Sequence, residues 1–170
     1  MLGKAPRGQA VLREVAQMAN WNQARPAGRA LGLSFSAAWG SYIGMVVEAS
    51  IQNGRPVVHQ IWAAVDCGHA LTPRNVQTQV EGSALFGLSA ALGERLSYKG
   101  GEAQEKNLGA YKLLRANEVP RVIVKVMPTD NHPGGIGEVG LPPLAPALAN
   151  ALARLNGKRL RTLPFPANMA

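Results

Sequence analysis

Residues 43–65 read Ile-Gly-Met-Val-Val-Glu-Ala-Ser-Ile-Gln-Asn-Gly-Arg-Pro-Val-Val-His-Gln-Ile-Trp-Ala-Ala-Val, and this stretch decides the fold class. Apolar side chains at Ile43, Met45, Val47, Ala49 and Ile51 recur every second residue, the period of a strand. Asn53-Gly54 follows, a pair that accepts the positive φ angles a tight hairpin turn demands. A partner strand from about Pro56 to Val65 is expected. Pro56 has no amide hydrogen to donate, so it belongs at the strand start or on an edge. An antiparallel hairpin therefore lies at the centre of the chain. Leu31, Leu33 and Phe35 show the same alternation just before it.

Outside the hairpin the period changes. Upstream, Val11, Val15, Met18 and Ala19 predict a helix over 8–20, and 22–30 is a loop. Downstream, Asp66–Thr72 is a turn, with Thr72 a candidate N-cap and Pro73 suited to the first helical position. Val76, Val80, Ala84, Leu88 and Ala91 then predict one long helix over 73–92. Gly82 and Gly87 inside it each lower helix propensity by roughly 1 kcal/mol. They point to close packing or ligand approach. Residues 93–118 are irregular, with a turn at Gly100-Gly101. Val122, Val124 and Val126 restore a strand, and residues 128–143, with four prolines and four glycines, form a loop. Leu144, Leu148, Leu152 and Leu155 predict a last helix ending near Gly157. The expectation is a single α+β domain over 1–170, an antiparallel hairpin-containing sheet packed with about three helices.

The composition narrows the function classes. Of the 170 residues 46% are hydrophobic and 16% charged, a globular rather than disordered balance. No apolar run nears the ~18 residues of a membrane span, and the first residues lack a signal peptide's apolar stretch. Compartment stays open between cytoplasm and periplasm. Cys67 is the single cysteine, which removes an intrachain disulfide and a cysteine-built metal site. His59, His69 and His132 have no metal-ligand spacing. The net charge of +8 raises nucleic acid as a partner, but the cations are scattered and no stacking-aromatic motif accompanies them. After Glu138 there is no acid, while Arg154, Lys158, Arg159 and Arg161 carry +4. They read as a solvated helix end, or as a face toward another chain or a cofactor's phosphates.

Glu138 stands among Gly134, Gly135, Gly137 and Gly140, directly before an alanine-rich helix start. Glycines allow backbone to approach a bulky ligand closely, and an acid held there is poised for chemistry. Alone it could equally be a solvated loop acid. Two segments taken together resemble one family. Val65-Asp66-Cys67-Gly68, Thr72-Pro73, Gln79-Val80-Glu81-Gly82 and Phe86-Gly87-Leu88-Ser89-Ala90-Ala91-Leu92 resemble the cofactor-binding region of molybdenum hydroxylases. Gly134-Gly135-Ile136-Gly137-Glu138, with Pro142-Pro143-Leu144-Ala145-Pro146-Ala147, resembles their catalytic-glutamate segment. Ser41-Tyr42, Tyr111, Leu114-Arg115 and the tail from Gly157 to Arg161 fit the large (beta) subunit of isoquinoline 1-oxidoreductase-type enzymes, within the xanthine dehydrogenase and aldehyde oxidase superfamily. The sequence departs from the pattern at Ser83, where a second glycine is usual, at Thr72, where asparagine is common, and at Val139, where proline often follows the glutamate.

The resemblance implies hydroxylation of an N-heterocycle or aldehyde carbon with oxygen taken from water. It implies Glu138 as general base, and Gln79, Gly135 and Gly137 as contacts to molybdopterin cytosine dinucleotide, with no protein ligand to the metal. Glu81 is a helix-face acid and Cys67 a core residue. The match covers only the C-terminal part of a large subunit, so the chain is expected to be a fragment, a piece of a split subunit or the product of a truncated gene. It would be inactive alone. The implied partners are the remaining large-subunit portion, a small subunit carrying [2Fe-2S] clusters, a cytochrome c as electron acceptor and a small-molecule substrate. A noncatalytic assembly or interaction module is the alternative.

Overall fold

Asn53 and Gly54 both take positive φ, 50° and 73°, and the hairpin they close is the middle of the sheet. The computed structural model describes residues 5–169. Strands β1 (Arg29–Ala38), β2 (Ser41–Gln52) and β3 (Arg55–Asp66) are antiparallel neighbours. After helix α2 (Pro73–Leu92), a small ribbon of β4 (Tyr98–Lys99) and β5 (Glu102–Ala103) precedes β6 (Arg121–Val126). β6 returns parallel to β3, giving the order β1-β2-β3-β6. A parallel neighbour requires a crossover, here through α2 and the irregular 93–120 stretch. Helices α1 (Pro6–Met18) and α3 (Leu144–Asn156) complete the α+β domain.

The two alternating apolar series face opposite sides. Leu31 and Leu33 pair with Glu48 and Val46 and, with Val46 and Ala64, cover the face packed by Val11, Val15 and Ala19 of the α1 segment. Ile43, Met45, Val47 and Ala49 join Ile61, Ala63 and Val65 on the other face, beneath α2 and α3. β2 is thus buried on both faces. A glycine permits the closest approach on each. A Cβ at Gly44 would lie 2.9 Å from the Val11 carbonyl oxygen, and one at Gly32 would lie 2.0 Å from that of Ala147. A bulge opposite Glu48 and Ala49 leaves His59 as the extra residue of β3, which shifts that strand's inward parity from Val58 to Ile61.

The helices follow the expectations with local corrections. α1 begins and ends two residues earlier than 8–20. Its end is closed by Asn20 in the left-handed region (φ 48°) and by the Trp21 amide donating to the Ala16 carbonyl. α2 spans the expected 73–92 with Pro73 in its first turn, but the Thr72 hydroxyl makes no capping bond. The Thr72 carbonyl instead accepts from the Asn75 and Val76 amides, and the exposed first turn meets water. α3 ends at Gly157 in the left-handed conformation. The tail cations are not all solvated: Arg154 donates to the Leu31 carbonyl at 3.2 Å and lies 5.2 Å from the Trp21 ring. The tail then returns to the core through Phe165, whose amide donates to the Ala91 carbonyl.

Candidate functional site

The loop from Met127 to Pro143 starts as an extension of β6, the Met127 amide donating to the Val65 carbonyl. It then crosses the ends of β1, β2 and β3. The His69 amide donates to the Asn131 carbonyl, and the Gly134 amide to that of Cys67. Gly135 is held on both sides, its amide donating to the Trp39 carbonyl at 2.8 Å and its carbonyl accepting the Ser41 hydroxyl at 2.6 Å. Glycines are needed along this crossing. A Cβ on Gly134 would sit 2.6 Å from Ser41 Oγ, and one on Gly135 would sit 2.8 Å from Trp39 Cβ.

Further on, the loop docks on α2. Val139 is buried, and Gly140 packs so tightly that a Cβ would lie 2.3 Å from Ser83 Oγ and 3.0 Å from the Val80 carbonyl. Gly87 accommodates Leu141 and Leu144 in the same way. Ser34 of β1 holds the far end, its hydroxyl donating to the Pro143 carbonyl at 2.5 Å. Between the Gly135 and Val139 anchors Ile136 packs partly buried against the core, and Gly137 and Glu138 are exposed. The Glu138 carbonyl accepts the Leu141 amide.

The floor of this region is an ion pair. Arg7 grips Asp66 in bidentate fashion, Nε to Oδ2 at 2.8 Å and Nη2 to Oδ1 at 2.7 Å, while its guanidinium carbon lies 4.7 Å from the Tyr42 ring. Asp66 Oδ1 also accepts the Gly68 amide at 3.0 Å. The Arg7 bonds hold the Asp66 carboxyl below its ordinary range against the opposing effect of burial, and raise the guanidinium's own pKa. Burial pushes the Cys67 thiol up, in keeping with an inert core residue. Gly68 has φ 74°, and a Cβ there would meet the His132 carbonyl oxygen at 2.1 Å. The turn after β3 and the loop after β6 are therefore locked backbone to backbone.

Gln79, Gly82, Ser83 and Phe86 share one face of α2, being spaced three, four and seven residues apart. Gln79 is exposed and its amide has no partner among the described residues. Gly82 and Gly137 need neither a positive φ nor close packing: a Cβ on either would meet nothing within 4 Å. Gly135, by contrast, is explained by Trp39. Trp39 and Phe86 are each 58% exposed. The loop and α2 meet at Val80 and Ser83, beside Gln79, so the segments carrying Glu138 and Gln79 adjoin. Three cavities lie elsewhere, around Arg55, Leu92 and Phe165, around Val58 and Arg121, and around Arg13 and Trp21.

Sequence reasoning missed Arg7, Asp66, Ser41 and Ser34 as supports of this region. Asp66 lay inside a quoted motif, but its partner is 59 residues away. Of the histidines, His59 bonds Ser50 Oγ at 2.8 Å, and burial lowers its pKa. Among the described residues no three His, Cys, Asp or Glu side chains could hold a metal ion, and no helix is long and apolar enough to cross a membrane. Glu81 makes no side-chain hydrogen bond among the described residues.

Residues 9–120 match the family described as the molybdopterin cofactor-binding domain. The chain belongs to this family. The chain is 37% identical to the isoquinoline 1-oxidoreductase subunit beta of Brevundimonas diminuta, over 96% of this chain and 22% of that one. It is 32% identical to the membrane-bound aldehyde dehydrogenase [pyrroloquinoline-quinone] of Gluconacetobacter polyoxogenes, with the same coverage. In fold it resembles the aldehyde oxidoreductase of Desulfovibrio desulfuricans, with a TM-score of 0.63 and 22% identity over 73% of this chain and 14% of that one. The chain thus spans about a fifth of the length of these two curated relatives.

Proposed function

We propose that the chain forms the C-terminal part of the molybdenum-cofactor site of an oxidoreductase that hydroxylates an N-heterocycle or aldehyde carbon, with Glu138 as general base. One observation carries the reading. A carboxylate is presented by a loop anchored on both sides, beside a helix face where an unpartnered amide and a bare glycine leave room for a flat polar ligand. Gln79, with donor and acceptor together, suits a pterin edge, and Gly82 and Gly137 let backbone come near it. When bound, the cofactor supplies the redox and oxygen-transfer chemistry. The chain's own part is to hold one edge of the cofactor and to take up a proton on the Glu138 carboxylate. A positioned general base typically contributes about 10²–10⁴-fold.

The cytosine dinucleotide form, a [2Fe-2S] partner subunit, the remaining large-subunit portion and a cytochrome c acceptor belong to the same proposal. Its test is co-expression with the missing portion and the iron–sulfur subunit. Molybdenum uptake and substrate-dependent dye reduction are expected, with Glu138→Gln lowering kcat about 10²–10⁴-fold at unchanged molybdenum content. Full activity after Glu138→Gln sinks the base assignment. The second reading is a noncatalytic assembly module, favoured by the exposure of Trp39 and Phe86 and by the +8 charge. Metal analysis of protein from its native source separates the two. Stoichiometric molybdenum supports the enzyme, and its absence supports the module.

A further inference from the structure

We propose that Ser41 is a positioning residue for Glu138. The proposal rests on the general-base reading above. Between Gly134 and Val139, the side chain that bonds the loop's backbone is that of Ser41, among the described residues. The other upstream anchors are backbone groups, Gly134 to Cys67 and Gly135 to Trp39. Ser41 is 1% exposed, so its hydroxyl has no water to turn to, and at 2.6 Å the bond is at the short end for O–H···O. It closes a two-sided grip on Gly135. With residue 135 fixed, only Ile136 and Gly137 separate the anchor from Glu138. Gly137 supplies no packing of its own, since a Cβ there would touch nothing. Ile136 packs its side chain on the main core, so the direction in which the carboxylate leaves the loop is set by the Gly135 grip and the Ile136 contact on one side and by Val139 on the other.

Ser34 offers a built-in control. It makes the same type of bond to the same loop, at Pro143, but beyond the buried Val139 and the Gly140 contact with α2. Loss of that hydroxyl loosens the start of α3 and leaves Glu138 where it is. Ser41 and Ser34 thus separate aiming of the acid from general support of the loop.

The test has two readouts. Backbone hydrogen exchange on the 170-residue chain follows peptides covering 134–138. Ser41→Ala is expected to speed exchange there at least tenfold while β2 and β3 stay protected, and Ser34→Ala is expected to leave it unchanged. Ser41→Cys repeats the test with the cavity filled and the donor weakened. In the molybdenum-loaded complex, Ser41→Ala is expected to lower kcat about 10- to 100-fold at constant KM and molybdenum content. In a Glu138→Gln background the same change is expected to do almost nothing, because residues acting through one group are not additive. Unchanged exchange in both Ser41 variants overturns the proposal. So does an equal Ser41→Ala effect with and without Glu138, or activity lost in proportion to molybdenum. If Glu138→Gln is fully active yet Ser41→Ala speeds exchange, the general-base reading fails while the anchor stands.

Discussion

Two connectors in this molecule are rich in glycine, and they use it in opposite ways. The stretch 93–120 turns on itself. Gly100 and Gly101 take φ of 61° and 84° in open space, and its bonds are largely local: Ser97 to Glu105, Asn107 to the Gly109 and Ala110 amides, and Glu118 back to Arg115. The stretch 127–143 has local bonds at Thr129–Asn131, His132–Pro133 and Glu138–Leu141, but it is also tied to β1, β2, the end of β3 and α2. Its glycines at 134, 135 and 140 sit in contacts where a Cβ has no room. Local bonding makes a surface feature that forms and frays by itself. Long-range anchoring makes a loop whose position depends on the whole sheet, the property a site for chemistry needs.

The sharpest way to break this contrast is Gly68→Ala. The new Cβ meets a carbonyl oxygen at 2.1 Å in a backbone conformation with φ 74°, so a loss of about 3–5 kcal/mol in urea unfolding is expected. A value below 1 kcal/mol means the 127–143 crossing is softer than described. Next comes the ion pair. Arg7→Ala leaves the Asp66 carboxylate, 4% exposed, without its main partner, and about 2–3 kcal/mol should be lost.

The pH dependence has a definite sign. The folded Asp66 pKa lies below its ordinary value of 3.8, so its contribution is complete above that value and fades as pH falls through the folded one. Melting curves from pH 6 to pH 2.5 should show a step below about pH 4 that Asp66→Asn removes. A step that survives Asp66→Asn assigns it to another carboxylate. Gly101→Ala, with a positive φ but open space, is expected to cost only about 1–2 kcal/mol. Smallest is Ser97→Ala, which removes the hydroxyl's bond to Glu105, leaves the bond from the residue 97 amide in place, and loosens the β4–β5 ribbon. Exchange at Gln104, whose amide donates to the Ser97 carbonyl, should rise while Tm moves by less than about 2 °C.

Several elements were legible because their signals are short in range. Asn53-Gly54 closes the hairpin as its chemistry demands, Pro73 opens α2, and Gly157 ends α3. The turn between β1 and β2 was not legible. It places Trp39 at φ 52°, where a bulky residue is rare, so the turn carries no glycine or asparagine at its first position to announce it. The parallel placement of β6 and the bulge at His59 were also out of reach, since both depend on which strand lies alongside. For the proposed site, the supports were not readable in the sequence: Ser41 and Gly135 are 94 residues apart, and Arg7 and Asp66 are 59 apart.

From its sequence alone this protein's class, its central hairpin, its long middle helix and the segments that resemble a molybdenum-cofactor site could be read, because periodicity and turn chemistry act over a few neighbouring residues. Only the tertiary structure decided which glycines are crowded and which are bare, which carboxylate is locked in an ion pair and which is presented to the outside. Those distinctions arise when the sheet brings distant backbone within hydrogen-bond reach, and no local pattern records them.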